Sequence, residues 1–202
     1  LFDYPMKKAV EEYITKNIEY LQNLKSHAVT IVNIAESFVE AIRRGNKILF
    51  FGNGGSAADA QHLGAEFVGR FKLERKGLPA IALTTNTSSL TSIGNDYGFE
   101  QIFSRQVEAL ANGGDIAVGI STSGNAKNVI SGIKMAKKME LQTIGFSGGD
   151  GGEMSKLVDI ALIVPAYETT NIQELHITAG HIICELTEKE LSRDITDGEA
   201  VR

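Results

Sequence analysis

A single cysteine, Cys184, leaves no partner for a disulfide within this chain of 202 residues. It lies in an apolar helical run and is expected to be a buried thiol. No apolar run approaches the ~20 residues of a membrane span. The opening residues, LFDYPMKK, lack the apolar segment of a signal peptide, so a cytoplasmic location with no membrane partner is expected. Positive charge is not in excess. Twenty Lys and Arg stand against 25 Asp and Glu, and a net charge of −5 disfavours a nucleic-acid surface. An anionic small molecule is still acceptable, because surface charge is screened beyond about 10 Å at moderate salt and a local cradle of amides can dominate. There is no internal repeat and no compositional break, so 1–202 reads as one domain.

Glycine is absent from residues 5–44, and proline occurs there only at position 5. Val10, Tyr13, Ile14, Ile18, Leu21 and Leu24 recur at helical spacing, as do Ile31, Ile34, Ala35, Phe38, Val39 and Ile42. Two helices follow, with a break near Asn23 to Ser26. Their apolar stripes are wide enough for a helical hairpin that also meets a partner subunit; packing within one chain is the plainer alternative.

From Lys47 the pattern changes. Short apolar runs at 48–51, 79–84, 115–121, 142–148 and 160–165 alternate with helical segments, within an α/β core of about 47–192. Such alternation predicts a parallel sheet covered on both faces. Between the second and third runs, a short helix and then a longer one are expected, parted near Gly94 to Gly98. A last helix is expected over about 170–191, GGDGG (148–152) as a flexible loop, and 193–202 as a frayed polar tail.

The stretch Lys47 to Phe67, KILFFGNGGSAADAQHLGAEF, organises the rest. After the first strand come Gly52, Asn53, Gly54, Gly55 and Ser56, then a helix for which Ser56 is a natural N-cap. A glycine-rich strand-to-helix turn lets an anion approach backbone amides at the positive end of a helix. It matches neither GxxxxGK[ST] nor GxGxxG, so neither a nucleoside triphosphate nor a dinucleotide is indicated. Tight packing alone would also explain the glycines. On that helix His62 and Glu66 are four apart and share a face. Ser121, Thr122 and Ser123 end the third strand just before another helix, a second set of neutral donors suited to phosphate oxygens; capping needs only one of them. Ligands bind at the carboxyl ends of strands where strand order reverses, so the two loops share a crevice if strands one and three are neighbours. Asn95 and Asp96 form a third polar cluster, which could equally be a turn. The last helix carries Gln173, His176 and His181, the last a titratable ring among apolar residues. Arg70 follows Glu66 by four and could pair with it or lie on the surface.

Together GNGGSAADAQHLGAEF, GNDYGF, GDIAVGISTSGN and IQELHITAGH resemble the bacterial phosphoheptose isomerases, members of the sugar isomerase (SIS) fold group, over Tyr4 to Leu191. The resemblance implies a flavodoxin-like five-stranded parallel sheet, a homotetramer and one zinc per subunit; active sites at subunit interfaces follow if different copies supply the ligands of one ion. It implies conversion of sedoheptulose 7-phosphate to glycero-manno-heptose 7-phosphate, an early step toward nucleotide-activated heptose for surface glycans. Carried over, substrate contacts fall on Asn53, Gly54, Gly55, Ser56, His62, Glu66, Asn95, Asp96, Ser121, Thr122, Ser123 and Gln173. Zinc ligands fall on His62, Glu66, Gln173 and His181, the base on Glu66 and the acid on His181. Ala126 departs from a phosphate-binding serine of some members, leaving Asn125 or Lys127 as replacements. Rival readings are a non-catalytic SIS-fold protein that associates with the replication initiator, and an isomerase of another sugar phosphate. One geometric tension stands. Gln173 and His181 are eight positions apart, hence ~12 Å along a helix and ~80° around it. One ion reaches both only if the helix is distorted or different copies supply them.

Overall fold

The backbone of residues 5–199 is described in a computed structural model, with side chains as far as Arg193. Helix α1 (Pro5–Leu24) passes through a short 3-10 turn into α2 (Ala28–Arg43). Five strands follow: β1 (Ile48–Gly52), β2 (Ala80–Ala82), β3 (Ile116–Ile120), β4 (Gln142–Gly148) and β5 (Ile160–Val164). They alternate with α3 (Gly55–Val68), α4 (Thr87–Tyr97), α5 (Ser104–Leu110), α6 (Lys127–Lys138) and α7 (Thr169–Glu199).

All strand pairs are parallel, in the order β2-β1-β3-β4-β5. This is the flavodoxin-like order. From β1 the chain steps outward to β2, then returns to place β3 on the other side of β1. The order therefore reverses between β1 and β3, and their carboxyl ends frame the crevice where such sheets bind ligands.

Successive residues of a strand point to opposite faces, and β1 uses this fully. Phe50 joins Phe38 of α2 and Phe67 of α3 in one core, while Phe51 meets Phe103 in the other. The first core lies under α2, α3 and α7; the second lies under α5 and α6.

Several expected boundaries move. Helix α4 is the longer of its pair and α5 the shorter, the reverse of the expected order. Asn95 and Asp96 lie in the last turn of α4, which ends at Gly98 with φ 90°, a conformation that favours glycine. Helix α7 continues past Arg193 to Glu199, so the expected frayed tail is helical up to there; residues 200–202 lie outside the described residues. The GGDGG stretch is tightly packed. Gly151 N–H donates to the Gly148 carbonyl, Gly152 N–H to Asp150 Oδ1, and Gly149 N–H to the Ala166 carbonyl. Cys184 is buried, and burial above all pushes its thiol up to about 12.

Helix α1 buries only Leu24 of its residues; Val10, Ile14, Ile18 and Leu21 stay exposed along one side. Among the described residues, no helix is long and apolar enough to cross a membrane.

His176 on α7 is wholly buried, with Nε2 3.2 Å from the Ser147 carbonyl. Burial, partly opposed by that carbonyl, pushes its pKa from 6.5 down to about 4. The unfolded chain protonates this ring below pH 6.5 while the folded chain holds it neutral. Its contribution to stability is complete above pH 6.5 and is lost as pH falls toward about 4. The loss totals ~3 kcal/mol at about 1.4 kcal/mol per pKa unit. Denaturation midpoints measured across that window are expected to fall less steeply in His176→Gln than in the parent chain; equal slopes contradict the assignment.

Candidate active site

The first loop leaves β1 at Gly52 and turns through Asn53 and Gly54. Gly54 adopts φ 56° and ψ −121°, a conformation strained for any residue with a side chain, and serves as N-cap of α3. The helix thus starts one residue before the expected cap. Ser56 is not the cap: it lies inside the first turn, 3% exposed, with its N–H bonded to the Asn53 carbonyl at 3.0 Å. The exposed parts of this cradle are Gly54 and Gly55, with Asn53 half-buried beside them.

The second loop is held against the first. Asn53 and Asn128 exchange two amide hydrogen bonds, both 2.8 Å. Asn128, in the first turn of α6 and buried, also accepts from the Val129 N–H at 3.0 Å. Sequence reading missed it; the available signal was an amide two residues after Ala126, where a helix is starting. Ser121 is buried, Thr122 half-buried and Ser123 exposed. Gly124 closes the turn with φ 66°, its N–H on the Ser121 carbonyl at 2.9 Å. A Cβ there would lie 2.0 Å from the Gly151 carbonyl oxygen, so the GGDGG turn braces this loop from behind. Ala126 is the N-cap of α6 and makes no side-chain cap. The two expected substitutes already have partners. Asn125 spans the Ser123 carbonyl and the Glu153 N–H, and Lys127 pairs with Glu100 at 3.2 Å.

The titratable residues lie where α3 and α7 touch. Gly180 permits the contact, since a Cβ there would fall 2.6 Å from Leu63 Cδ2. His62 and Glu66, one turn apart on α3, meet His181 of α7. The two Nε2 atoms are 2.8 Å apart, and Glu66 Oε1 lies 3.3 Å from His62 Nε2. Phe71 stacks on His181 with ring centroids 5.5 Å apart and planes 24° from parallel. Burial, then His62 and Lys72, push the His181 pKa below its ordinary value against the pull of Glu66. A neutral imidazole is what a metal ligand requires, whereas a proton donor must hold its second proton, which this shift makes rarer at neutral pH.

The remaining expected residues divide. Gln173 sits against Gly55, where a Cβ would lie 2.4 Å from its Nε2. It is therefore at the amino end of α3, away from the His62–Glu66–His181 cluster. Helix α7 is continuous α-helix through both positions, so within this chain the single-ion set of four becomes a set of three. Asn95 and Asp96 bond one another at 2.8 Å and are exposed on α4. Arg70 lies beyond the end of α3 and pairs with Glu74 at 3.6 Å, not with Glu66. Arg75 instead reaches the Glu66 carbonyl, at 2.8 Å. Asp59, between Gly55 and His62, has a buried Oδ2 without a partner, and burial raises its pKa to about 6 against the pull of His62.

The cluster fits a metal of the zinc type. Two imidazole nitrogens and one carboxylate oxygen lie within 4.8 Å of one another. Such donors suit zinc, and three protein ligands leave a position open.

The doubly wound 2-1-3-4-5 sheet with hydroxyl- and glycine-rich loops at its reversal point is the fold of a SIS-domain protein here, because the SIS domain family model matches residues 12–148. A phosphoheptose isomerase from Aquifex aeolicus (strain VF5) is 59% identical over 163 residues, which are 81% of this chain and 85% of that relative. The solved phosphoheptose isomerase of Neisseria gonorrhoeae superposes with a TM-score of 0.87 at 41% identity, over 91% of this chain and 99% of that one. That of Francisella tularensis gives 0.89 at 35%, over 92% and 100%. The chain belongs to the phosphoheptose isomerase family.

The Asn53–Asn128 exchange has a measurable consequence. Losing the Asn53 amide leaves the buried Asn128 unsatisfied, at a cost of about 1–3 kcal/mol, and losing Asn128 strands the half-buried Asn53 at a smaller cost. In urea denaturation, Asn53→Ala and Asn128→Ala are each expected to destabilise, with a double variant milder than their sum by about 1 kcal/mol. Strict additivity would show that the two amides do not work as a pair.

Proposed function

We propose that the chain is a phosphoheptose isomerase, converting sedoheptulose 7-phosphate to D-glycero-D-manno-heptose 7-phosphate through an enediol. The observation that carries this reading is the meeting of Glu66 and His181 on the same helix pair whose amino end carries a loop built for an anion. The product would feed nucleotide-activated heptose for surface glycans, made in the cytoplasm. A non-catalytic SIS-fold protein would have no use for a converged carboxylate–imidazole pair, and that rival is not favoured.

The phosphate is held by the amides of Gly54 and Gly55 at the positive end of α3, and by Thr122 and Ser123. Asn53 and Gln173 border the same end, and Ser121 supports its loop from beneath. At the other end, Glu66 removes a proton from C1 of the ketose while His181 donates one to the C2 carbonyl oxygen, giving the enediol. Glu66 then returns its proton to C2 as His181 takes the one on the C1 hydroxyl, leaving an aldose. Proton transfer of this kind between positioned groups contributes ~10²–10⁴-fold each.

His62, Glu66 and His181 would hold one zinc per subunit, where it would supply Lewis-acid polarisation of substrate oxygens. A carboxylate bound to a cation is a weaker base, so metal binding and proton transfer compete for Glu66. The reading puts the chemistry on the carboxylate.

The open apolar side of α1, with Val10, Ile14, Ile18 and Leu21, supports assembly into a homotetramer. Asn95 and Asp96, exposed on α4, join the substrate contacts in that assembled state.

Glu66→Gln is expected to lower turnover of sedoheptulose 7-phosphate by about a thousandfold, with sugar-phosphate binding retained by calorimetry. Treatment with chelator is expected to lower it less than this substitution does. Near-parent turnover by Glu66→Gln would remove the carboxylate from the mechanism.

A further inference from the structure

Beyond the residues that face the substrate, one buried assembly touches both titratable partners from behind. Glu188 of α7 is 1% exposed and accepts four hydrogen bonds. Three come from the backbone N–H groups of Phe71, Lys72 and Leu73, at 3.1, 2.8 and 2.9 Å; the fourth comes from Arg75 Nε at 2.9 Å. Burial alone would raise the Glu188 carboxyl, but these amides and Arg75 outweigh it and hold it below the usual carboxylate range.

The Arg75 guanidinium, itself 5% exposed, turns its other nitrogens onto the end of α3. Nη2 donates to the Glu66 carbonyl at 2.8 Å, and Nη1 to the carbonyls of Phe67 and Gly69 at 2.9 and 3.3 Å. The last carbonyls of a helix have no partner within it, and here one planar fork reaches two of them, Glu66 and Phe67, and the Gly69 carbonyl just beyond. A lysine, a point charge on a flexible stem, could not reproduce that geometry. Glu188 meanwhile holds the turn at 71–73, which sets the Phe71 ring on His181. One ion pair therefore controls the peptide that carries Glu66 and the ring that supports His181.

We propose that Arg75, Glu188 and Phe71 are positioning residues for the isomerisation. They fix the spacing of the Glu66 carboxylate and the His181 imidazole without touching the sugar. This rests on the functional reading given above. Phe71 is the cleanest probe, because it is only partly buried and its replacement leaves the ion pair intact.

The test uses steady-state kinetics on sedoheptulose 7-phosphate together with the proton spectrum of the His181 ring. A misplacement of about 1 Å can cost ~10²-fold in rate. Phe71→Leu and Arg75→Lys are therefore expected to lower kcat by about tenfold to a hundredfold, with KM little changed and the melting profile still cooperative. Phe71→Tyr recovers most of the loss. In Phe71→Leu the His181 ring-proton resonances move, because the stacked ring current is removed. A parent-like kcat in Phe71→Leu, or a loss carried by KM alone, overturns the positioning role while leaving the functional reading in place. A parent chain that does not isomerise the sugar phosphate defeats both.

Discussion

The site depends on the close parallel contact of α3 with α7, and that contact depends on two missing side chains. At Gly180 the Leu63 side chain occupies the place of a Cβ, and at Gly55 the Gln173 amide does the same. With any larger residue at either position the Leu63 or Gln173 side chain must move or the helices must separate, and interiors packed to crystal-like density do not absorb either freely. Because the helices lie this close, His62 reaches His181 at 2.8 Å, and Glu66, 3.3 Å from His62, lies within 4.8 Å of both rings' ligand nitrogens. The same contact aligns the helices so that Gln173 meets the amino end of α3 while His181 meets its later turns. One helix pair thus lays out both ends of the proposed binding site: glycine-rich loop first, the His62–Glu66–His181 cluster further along.

The sheet supplies the other half. Parallel pairing of β1 with β3 in register from Ile48↔Ile116 to Gly52↔Ile120 ends both strands at one level. Their loops emerge side by side, and the Asn53–Asn128 exchange ties them. In the proposed site a phosphate would gain amides from one loop and hydroxyls from the other. Fixing those donors before binding reduces the ordering cost that a flexible loop would impose on the ligand.

Much of this was legible in the sequence because it is written in local patterns. Apolar runs between turn residues located all five strands, and spacing by four put His62 and Glu66 on one helix face. What escaped depends on backbone conformation or on partners distant in the chain. Ser56 looks like a cap by residue type, but the positive φ of Gly54 starts the helix earlier and buries the serine. GGDGG reads as a loose linker because glycine signals freedom; here its positive φ angles are used to pass under Gly124. Arg70 stands at helical spacing from Glu66, yet the helix ends at Val68, and Arg75 makes the contact through a turn that no periodicity describes. Asn128 carries no motif, and its importance comes from a partner 75 positions away.

The most direct measurement of the central claim is a crystal structure of the Glu66→Gln chain with sedoheptulose 7-phosphate. The account predicts the phosphate at the Gly54–Gly55 amides and the Thr122–Ser123 hydroxyls, with C1 and C2 within about 3–3.5 Å of residue 66 and His181. A sugar bound with its phosphate against the histidines, or in a crevice away from the β1–β3 junction, would contradict it.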